Sequence, residues 1–167
     1  MGKAKIISGG LQQAKANLEI SGSVIVTADN GTGAASLILF TVRNAIAGTP
    51  IDMTPNGVNT TGGGTDDTSG SNRCVISLTT ANAYFNNIPW NCEFIGDADS
   101  DNLLDSGEQL EITIDLADVQ AAGETTGTWQ DLGTNDWFNI QVKPMLGSTM
   151  TVQRTLPAGL DALMDLH

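Results

Sequence analysis

Apolar and polar positions alternate in three stretches of the second half of the chain. Four apolar residues recur at every second position: Leu110, Ile112, Ile114 and Leu116. The same period of two recurs at residues 137–143 and 149–154. A period of two predicts half-buried β-strands, because successive side chains of a strand point to opposite faces of a sheet. The residues between the last two stretches, 144–148, include Pro, Gly and Ser and predict that these strands form a hairpin.

The first half contains three further predicted strands. Residues 18–26 predict a first strand, bent at Gly22, and residues 74–80 predict a strand before the acidic segment. Residues 35–42 contain a continuous apolar run, which predicts a central strand buried on both faces. Asp, Asn and Gly at 29–31 form a strong turn signal.

The segments between the strands are rich in turn-forming residues. Residues 54–73 are mostly Thr, Gly, Asn, Ser and Asp and predict a long exposed loop, and residues 117–127 predict a second loop. Residues 50–53 predict a short edge segment because Pro50 cannot donate to a sheet ladder. Residues 9–17 predict a short helix. Together these elements predict an all-β protein, an immunoglobulin-like β-sandwich with a short helical segment at its start.

An acidic segment at 97–108 carries the clearest candidate chemistry. Its carboxylates stand at the first, third, fifth, ninth and twelfth positions: Asp97, Asp99, Asp101, Asp105 and Glu108. This is the ligand spacing of a calcium-binding loop, in which the seventh position, here Leu103, contributes its backbone carbonyl. The sixth position is usually Gly because the turn requires φ > 0, and here it is Asn102, which tolerates that region well.

The acidic segment has a simpler interpretation as a solvated turn between two strands. We favour metal binding, because no Lys or Arg stands between Arg73 and Lys143 to relieve the repulsion between the carboxylates. Calcium is favoured over magnesium because the ligands are numerous and all are oxygens. Neither flank predicts a helix, so the expected role of calcium is structural.

Composition excludes several classes of function. Seven Lys and Arg against 19 Asp and Glu give a net charge of −12, which repels nucleic acid and anionic membranes. No apolar run is long enough to span a bilayer. The single histidine is the last residue, His167, so triad chemistry has no candidate within the domain. Carboxylates crowded into one loop also suit cation coordination better than glycoside hydrolysis, and no enzymatic activity is expected.

Two cysteines, Cys74 and Cys92, leave two interpretations open. Their spacing is not that of a metal-binding pair. They are either two buried free thiols or, in an oxidising compartment, the two halves of one disulfide.

Three stretches give the chain a resemblance to archaeal flagellins, the subunits of the archaeal swimming filament (the archaellum). Residues 11–22 resemble the family's passage from its N-terminal helix into the first strand, and residues 142–152 resemble its closing hairpin. Residues 154–166, which include Arg-Thr-Leu-Pro-Ala-Gly-Leu-Asp and Met-Asp-Leu, resemble its C-terminal signature. The last stretch is the most specific of the three.

The resemblance implies an extracellular structural protein of the archaellum. Members have an outer β-sandwich and an N-terminal hydrophobic helix, which bundles with its copies along the filament axis. That helix is missing here, so residues 1–167 are interpreted as a single outer domain, with 1–5 an added start and 6–17 a remnant of the helix. The partners are other copies of the protein, and the chain as it stands is expected to be monomeric. The resemblance also implies a metal site in some members, which the acidic segment fits.

Two sequons meet the physical requirement for N-glycosylation, an accessible turn or loop. They begin at Asn30 and Asn59, and archaeal flagellins are commonly N-glycosylated. Chance occurrence is the alternative in a chain rich in Thr and Asn.

A second function class has the same architecture. A calcium-stabilised surface adhesion module would share the sandwich and the acidic loop, but it would not need the C-terminal signature. The filament subunit is therefore the favoured hypothesis.

Overall fold

A computed structural model of the protein describes residues 18–29, 31–45, 50–53, 74–95, 103–145 and 147–167. In these ranges it contains thirteen strands and one helix. They are β1 (Leu18–Ile20), β2 (Val24–Asp29), β3 (Ala34–Asn44), β4 (Ile51–Asp52), β5 (Cys74–Thr80), β6 (Ala83–Phe85), β7 (Asn91–Ile95), β8 (Leu103–Leu104), β9 (Gln109–Asp115), α1 (Leu116–Ala122), β10 (Thr126–Gly127), β11 (Trp137–Pro144), β12 (Met150–Thr155) and β13 (Leu163–Leu166). The predicted helix at 9–17 and the predicted loop at 54–73 lie outside the described residues.

Two antiparallel sheets form a sandwich. The larger sheet has the order β13-β2-β3-β9-β7, and β1 also pairs with β3; the smaller has the order β10-β6-β5-β11-β12. A separate two-stranded ribbon joins β4 to β8. Buried residues from both sheets belong to one hydrophobic cluster, so the core lies between them. The all-β sandwich predicted from the alternating pattern is confirmed.

The alternation in the sequence matches the two faces of each strand. In β9, Leu110, Ile112 and Ile114 are fully buried, and the residues between them are only partly buried. The hairpin of β11 and β12 is confirmed, with a register that pairs Ile140 with Val152. The predicted first strand bends at Gly22, which has φ +89°, and is thereby divided into β1 and β2.

Strand β3 is central, but the prediction that both its faces are buried is wrong. Ile38, Phe40 and Val42 are buried, whereas Leu37 and Leu39 on the opposite face are half-buried. Strands β2 and β9 flank β3 and form hydrogen bonds with its backbone N–H and C=O groups. An antiparallel sheet in a two-layer sandwich, however, packs only one face on the other layer.

Part of the predicted loop at 117–127 is the helix α1. Asp115 caps it, because its Oδ1 accepts a hydrogen bond from the backbone N–H of Ala117 at 2.9 Å. Leu116 and Val119, three residues apart, are buried. Partial burial raises the pKa of Asp118 in the first turn, and the charge of Asp115 raises it further. The capping Asp followed by apolar residues at helical spacing was a signal that the loop prediction overlooked.

The C-terminal tail contributes the edge strand β13, which pairs with β2. Met164 is buried against the core, whereas Leu163 is 65% exposed. Among the described residues, no helix is long and apolar enough to cross a membrane.

Candidate metal centre

The second half of the acidic segment is anchored firmly to the sandwich. Strand β8 pairs with β4, which places Leu103 opposite Asp52. The side chain of Leu104 is fully buried, and its carbonyl oxygen accepts a hydrogen bond from Nδ2 of the buried Asn44 at 3.3 Å. The apolar eighth position of the segment therefore ties it to the core.

A tight turn, residues 105–108, connects β8 to β9. The backbone N–H of Glu108 donates to the Asp105 carbonyl oxygen at 3.2 Å, and the backbone N–H of Asp105 donates to Oε2 of Glu108 at 2.9 Å. Gly107 occupies the position that requires a left-handed backbone, with φ +89°. These contacts hold the last carboxylate of the segment over the turn that precedes β9.

The structure describes three of the six predicted ligands. Leu103, Asp105 and Glu108 lie within one six-residue stretch. Three more, Asp97, Asp99 and Asp101, lie outside the described residues. Within the described ranges alone, no group of three or more His, Cys, Asp or Glu side chains could hold a metal ion. The proposed site therefore depends on both halves of the segment.

A basic residue from another strand lies near this turn, which the sequence did not indicate. Arg43 on β3 stands opposite Gln109 and forms an ion pair with Glu19 of β1. A surface groove of about 300 Å³ is lined by the side chains of this ion pair and by residues 107–109. In the part of the chain that the structure describes, neither Asp105 nor Glu108 forms an ion pair with Lys or Arg, so their charge is not neutralised there by a salt bridge.

Asp52 is a carboxylate that sequence reasoning missed. Its ladder position opposite Leu103 places it beside the seventh position of the acidic segment. It also lies near Cys74, because its charge contributes to the raised pKa of that thiol. The only sequence signal was its position after Pro50, in the predicted edge segment.

Both cysteines are free thiols in the structure. Burial raises the pKa of Cys74 to about 12, with smaller contributions from the charges of Cys92 and Asp52. Burial likewise raises the pKa of Cys92 to about 11. Both thiols therefore hold their protons at neutral pH.

The two sequon asparagines, Asn30 and Asn59, lie outside the described residues. The neighbours Gly31 and Thr32 are exposed in the turn between β2 and β3. Oδ1 of Asp29 accepts a hydrogen bond from the backbone N–H of Gly31 at 2.8 Å and stabilises this turn. The described residues of the predicted turn at 29–31, Asp29 and Gly31, confirm a turn there.

A second cavity, of about 250 Å³, is lined by Asp29, Asp115, Asp131 and Trp129. Each of the three carboxylates accepts a hydrogen bond from an N–H group close in sequence, and that of Asp131 comes from the indole of Trp129 at 3.1 Å. We therefore assign these carboxylates to the stabilisation of local turns and of the helix N-terminus.

Comparison with known proteins gives a consistent result. Residues 4–154 match the archaeal-type flagellin family. The chain is 29% identical over 161 residues to probable flagellin 1 of Archaeoglobus fulgidus, covering 94% of this chain and 73% of that protein. It is 26% identical over 173 residues to probable flagellin 2 of the same organism, covering 92% of this chain and 72% of that protein.

Two solved structures share the fold. The archaeal flagellin FlaB1 from Methanocaldococcus jannaschii superposes with a TM-score of 0.68 at 14% identity, covering 90% of this chain and 96% of that one. A chain of the archaeal flagellum of Methanospirillum hungatei superposes with a TM-score of 0.60 at 17% identity, covering 99% of this chain and 79% of that one.

Proposed function

The chain belongs to the archaeal-type flagellin family, and we propose that calcium bound by residues 97–108 stabilises the outer domain that it contributes to the filament. The protein is a structural subunit of the archaellum and is part of the extracellular filament. The role of calcium in that domain is our proposal.

The observation that carries the proposal is the turn at 105–108. Glu108 stands at the twelfth position of the segment, where a calcium loop has its closing carboxylate. Its Oε2 accepts a hydrogen bond from the backbone N–H of Asp105, and its Oε1 makes no hydrogen bond within the described residues. A carboxylate oxygen held in place but available suits a hard cation. The donor set of the whole segment consists of oxygens, which suits calcium.

The position of the segment suggests what the ion stabilises. Leu18, the first described residue, pairs with Asn44 at the end of β3, and Gln109 is opposite the adjacent Arg43. The chain therefore enters the sandwich at the same end as the acidic segment. Calcium would neutralise the carboxylates at that end and restrain the segment that connects the paired strands β7 and β9.

We propose that the protein assembles with its own copies through the hydrophobic helix found in the family and the surfaces next to it. In this arrangement the calcium-bound end of the sandwich lies closest to the assembling helices. The calcium site would make the connection between the helix and the sandwich rigid without itself contacting another subunit.

We also propose N-glycosylation at Asn30 and Asn59. The exposure of Gly31 and Thr32 supports access to the first sequon. Peptide mass spectrometry of protein from the native organism, compared with protein expressed in bacteria, tests this. Unmodified peptides from both sources at both positions would reject it.

Calorimetric titration with calcium tests the proposed metal site directly. The wild type should bind one ion with a dissociation constant in the range of about 10⁻⁴ to 10⁻³ M, typical of extracellular calcium modules. Asp105→Asn should weaken binding and Glu108→Gln should abolish it. Asp161→Asn, at an exposed position in the C-terminal segment, is the matched control for loss of one negative charge. Absence of calcium binding by the wild type, or an equal loss in the control, would overturn the proposal.

A further inference from the structure

The side chains of Cys74 and Cys92 point into the same interior from opposite sheets. Cys92 lies directly opposite Ile112 in the pairing of β7 with β9, and Ile112 is fully buried. Residues directly opposite in an antiparallel pair share a face, so Cys92 points towards the core. Cys74 begins β5 in the other sheet, two residues before the buried Ile76, and is itself fully buried.

The path of the chain brings the two cysteines to the same region. After β6 the chain continues beside β5, because the backbone N–H of Ile88 donates to the Ile76 carbonyl oxygen at 2.8 Å. It then crosses between the sheets through Trp90, which is 2% exposed, and enters β7. Cys92 therefore lies two residues after Trp90, where the chain crosses. Cys74 lies two residues before Ile76, which is hydrogen-bonded to the segment that leads to the crossing.

The electrostatics of the two thiols agree with this geometry. Besides burial, the charge of Cys92 contributes to raising the pKa of Cys74, which requires the two groups to be close. Cys92 is only half-buried and lies on β7, an edge strand of the larger sheet. One thiol of the pair is thus within reach of a reagent from solution.

We propose that Cys74 and Cys92 form a disulfide that joins the two sheets when the chain folds in an oxidising environment. The oxidant is a small disulfide such as oxidised glutathione. A thiolate of one cysteine attacks it and releases one reduced thiol, and the second cysteine then displaces the other. Two protein thiols become one disulfide and one small disulfide becomes two thiols, so atoms and electrons balance.

The reaction belongs to the folding stage of the chain. Thiolates, rather than thiols, attack disulfides, and the buried thiols of the folded protein hold their protons at neutral pH. Unfolded or partly folded chains expose both groups with ordinary acidity. Attack of a cysteine on the oxidant is therefore faster before the core closes, and closure of the two sheets then brings the second cysteine to the mixed disulfide.

Oxidative refolding tests the proposal without any dependence on calcium. The full chain is unfolded, refolded in chelator with a mixture of oxidised and reduced glutathione, and then alkylated with iodoacetamide in denaturant. Mass spectrometry should find a product two hydrogen atoms lighter than the reduced chain, with neither cysteine alkylated. Digestion should give one linked species that contains both cysteines.

Single variants provide the matched controls. Cys92→Ser and Cys74→Ser should each retain one thiol that is alkylated or carries glutathione, and neither should give the linked species. Reduction of the wild-type product should restore two alkylation sites. Two alkylated cysteines in the refolded wild type, or glutathione on each of them, would overturn the proposal, whatever the result of the calcium titration.

Discussion

Asp105 and Glu108 hold each other across one turn through two hydrogen bonds. The backbone N–H of Asp105 donates to Glu108 Oε2 at 2.9 Å, and the backbone N–H of Glu108 donates to the Asp105 carbonyl oxygen at 3.2 Å. The Glu108 side chain thus has a structural role in the apoprotein and, in our proposal, a second role as a calcium ligand. Substitutions can separate the two roles.

Glu108→Gln and Glu108→Ala should differ in stability without calcium, and neither should gain stability when calcium is added. The Gln amide oxygen can still accept the N–H of Asp105, so the calcium-free stability should change little. Glu108→Ala removes the acceptor and should cost about 1 kcal/mol of unfolding free energy. Calcium should stabilise neither variant. Urea unfolding with and without calcium measures this, and full calcium stabilisation of either variant would contradict the proposed role of Glu108.

Calcium should raise the melting temperature of the wild type. Binding to the folded state alone adds about 2.7 kcal/mol at a hundredfold excess over the dissociation constant, which corresponds to several degrees for a domain of this size. The wild type should therefore melt lower in chelator than in millimolar calcium, whereas Asp99→Ala should melt at one temperature in both. Equal melting of the wild type in the two buffers would make the segment a simple acidic turn.

The stability lost on substitution by Ala should differ among three glycines, according to their backbone conformation and the space around them. Gly127 has φ +87°, and an added Cβ would lie 2.1 Å from the Asn82 backbone oxygen. Gly107 has φ +89° with open space, and Gly159 has neither constraint. Substitution by Ala should cost about 1–3 kcal/mol at Gly107, more at Gly127 and little at Gly159. Chemical denaturation of the three variants tests this order, and an equal cost at Gly107 and Gly159 would contradict it.

The chain as it stands should be monomeric at micromolar concentration. Its net charge of −12 adds repulsion between copies at low salt. Sedimentation should show one species of 17.4 kDa, and filaments visible by electron microscopy would reject the prediction.

The reduced protein should lose stability in alkaline solution because of its cysteines. From an ordinary value of 9.0, the pKa rises to about 12 for Cys74 and about 11 for Cys92 in the folded state. The folded chain therefore binds these protons more tightly than the unfolded chain does. The resulting stabilisation is complete below pH 9 and is lost as the pH rises towards the folded-state values.

The expected slope is up to about 1.4 kcal/mol per thiol for each pH unit above the unfolded-state value. Urea unfolding of the reduced chain between pH 8 and about pH 10.5 measures it. The variant with Cys74→Ala and Cys92→Ala is the control, since other groups titrate equally in both proteins. Parallel pH dependence of the two proteins would show that the thiols do not contribute.

The local pattern of the sequence determined the strands. Alternation at 110–115 and 137–143 reports which side chains face the core, and this depends only on the backbone geometry of a strand. The helix α1 was missed because the turn-forming residues after it outweighed the capping signal of Asp115. Strand β3 was predicted as buried on both faces because a continuous apolar run does not distinguish a sheet covered on one face from a sheet covered on both.

The ligand spacing of residues 97–108 and the family resemblance were also present in the sequence, because both depend on residues close together in the chain. Contacts across the sandwich depended on the tertiary structure. Strand register places Arg43 beside Gln109 and Asp52 opposite Leu103. The crossing between the sheets places Cys74 near Cys92. Register is set by how all the buried side chains pack together, so residues far apart in sequence meet only once the whole core has formed.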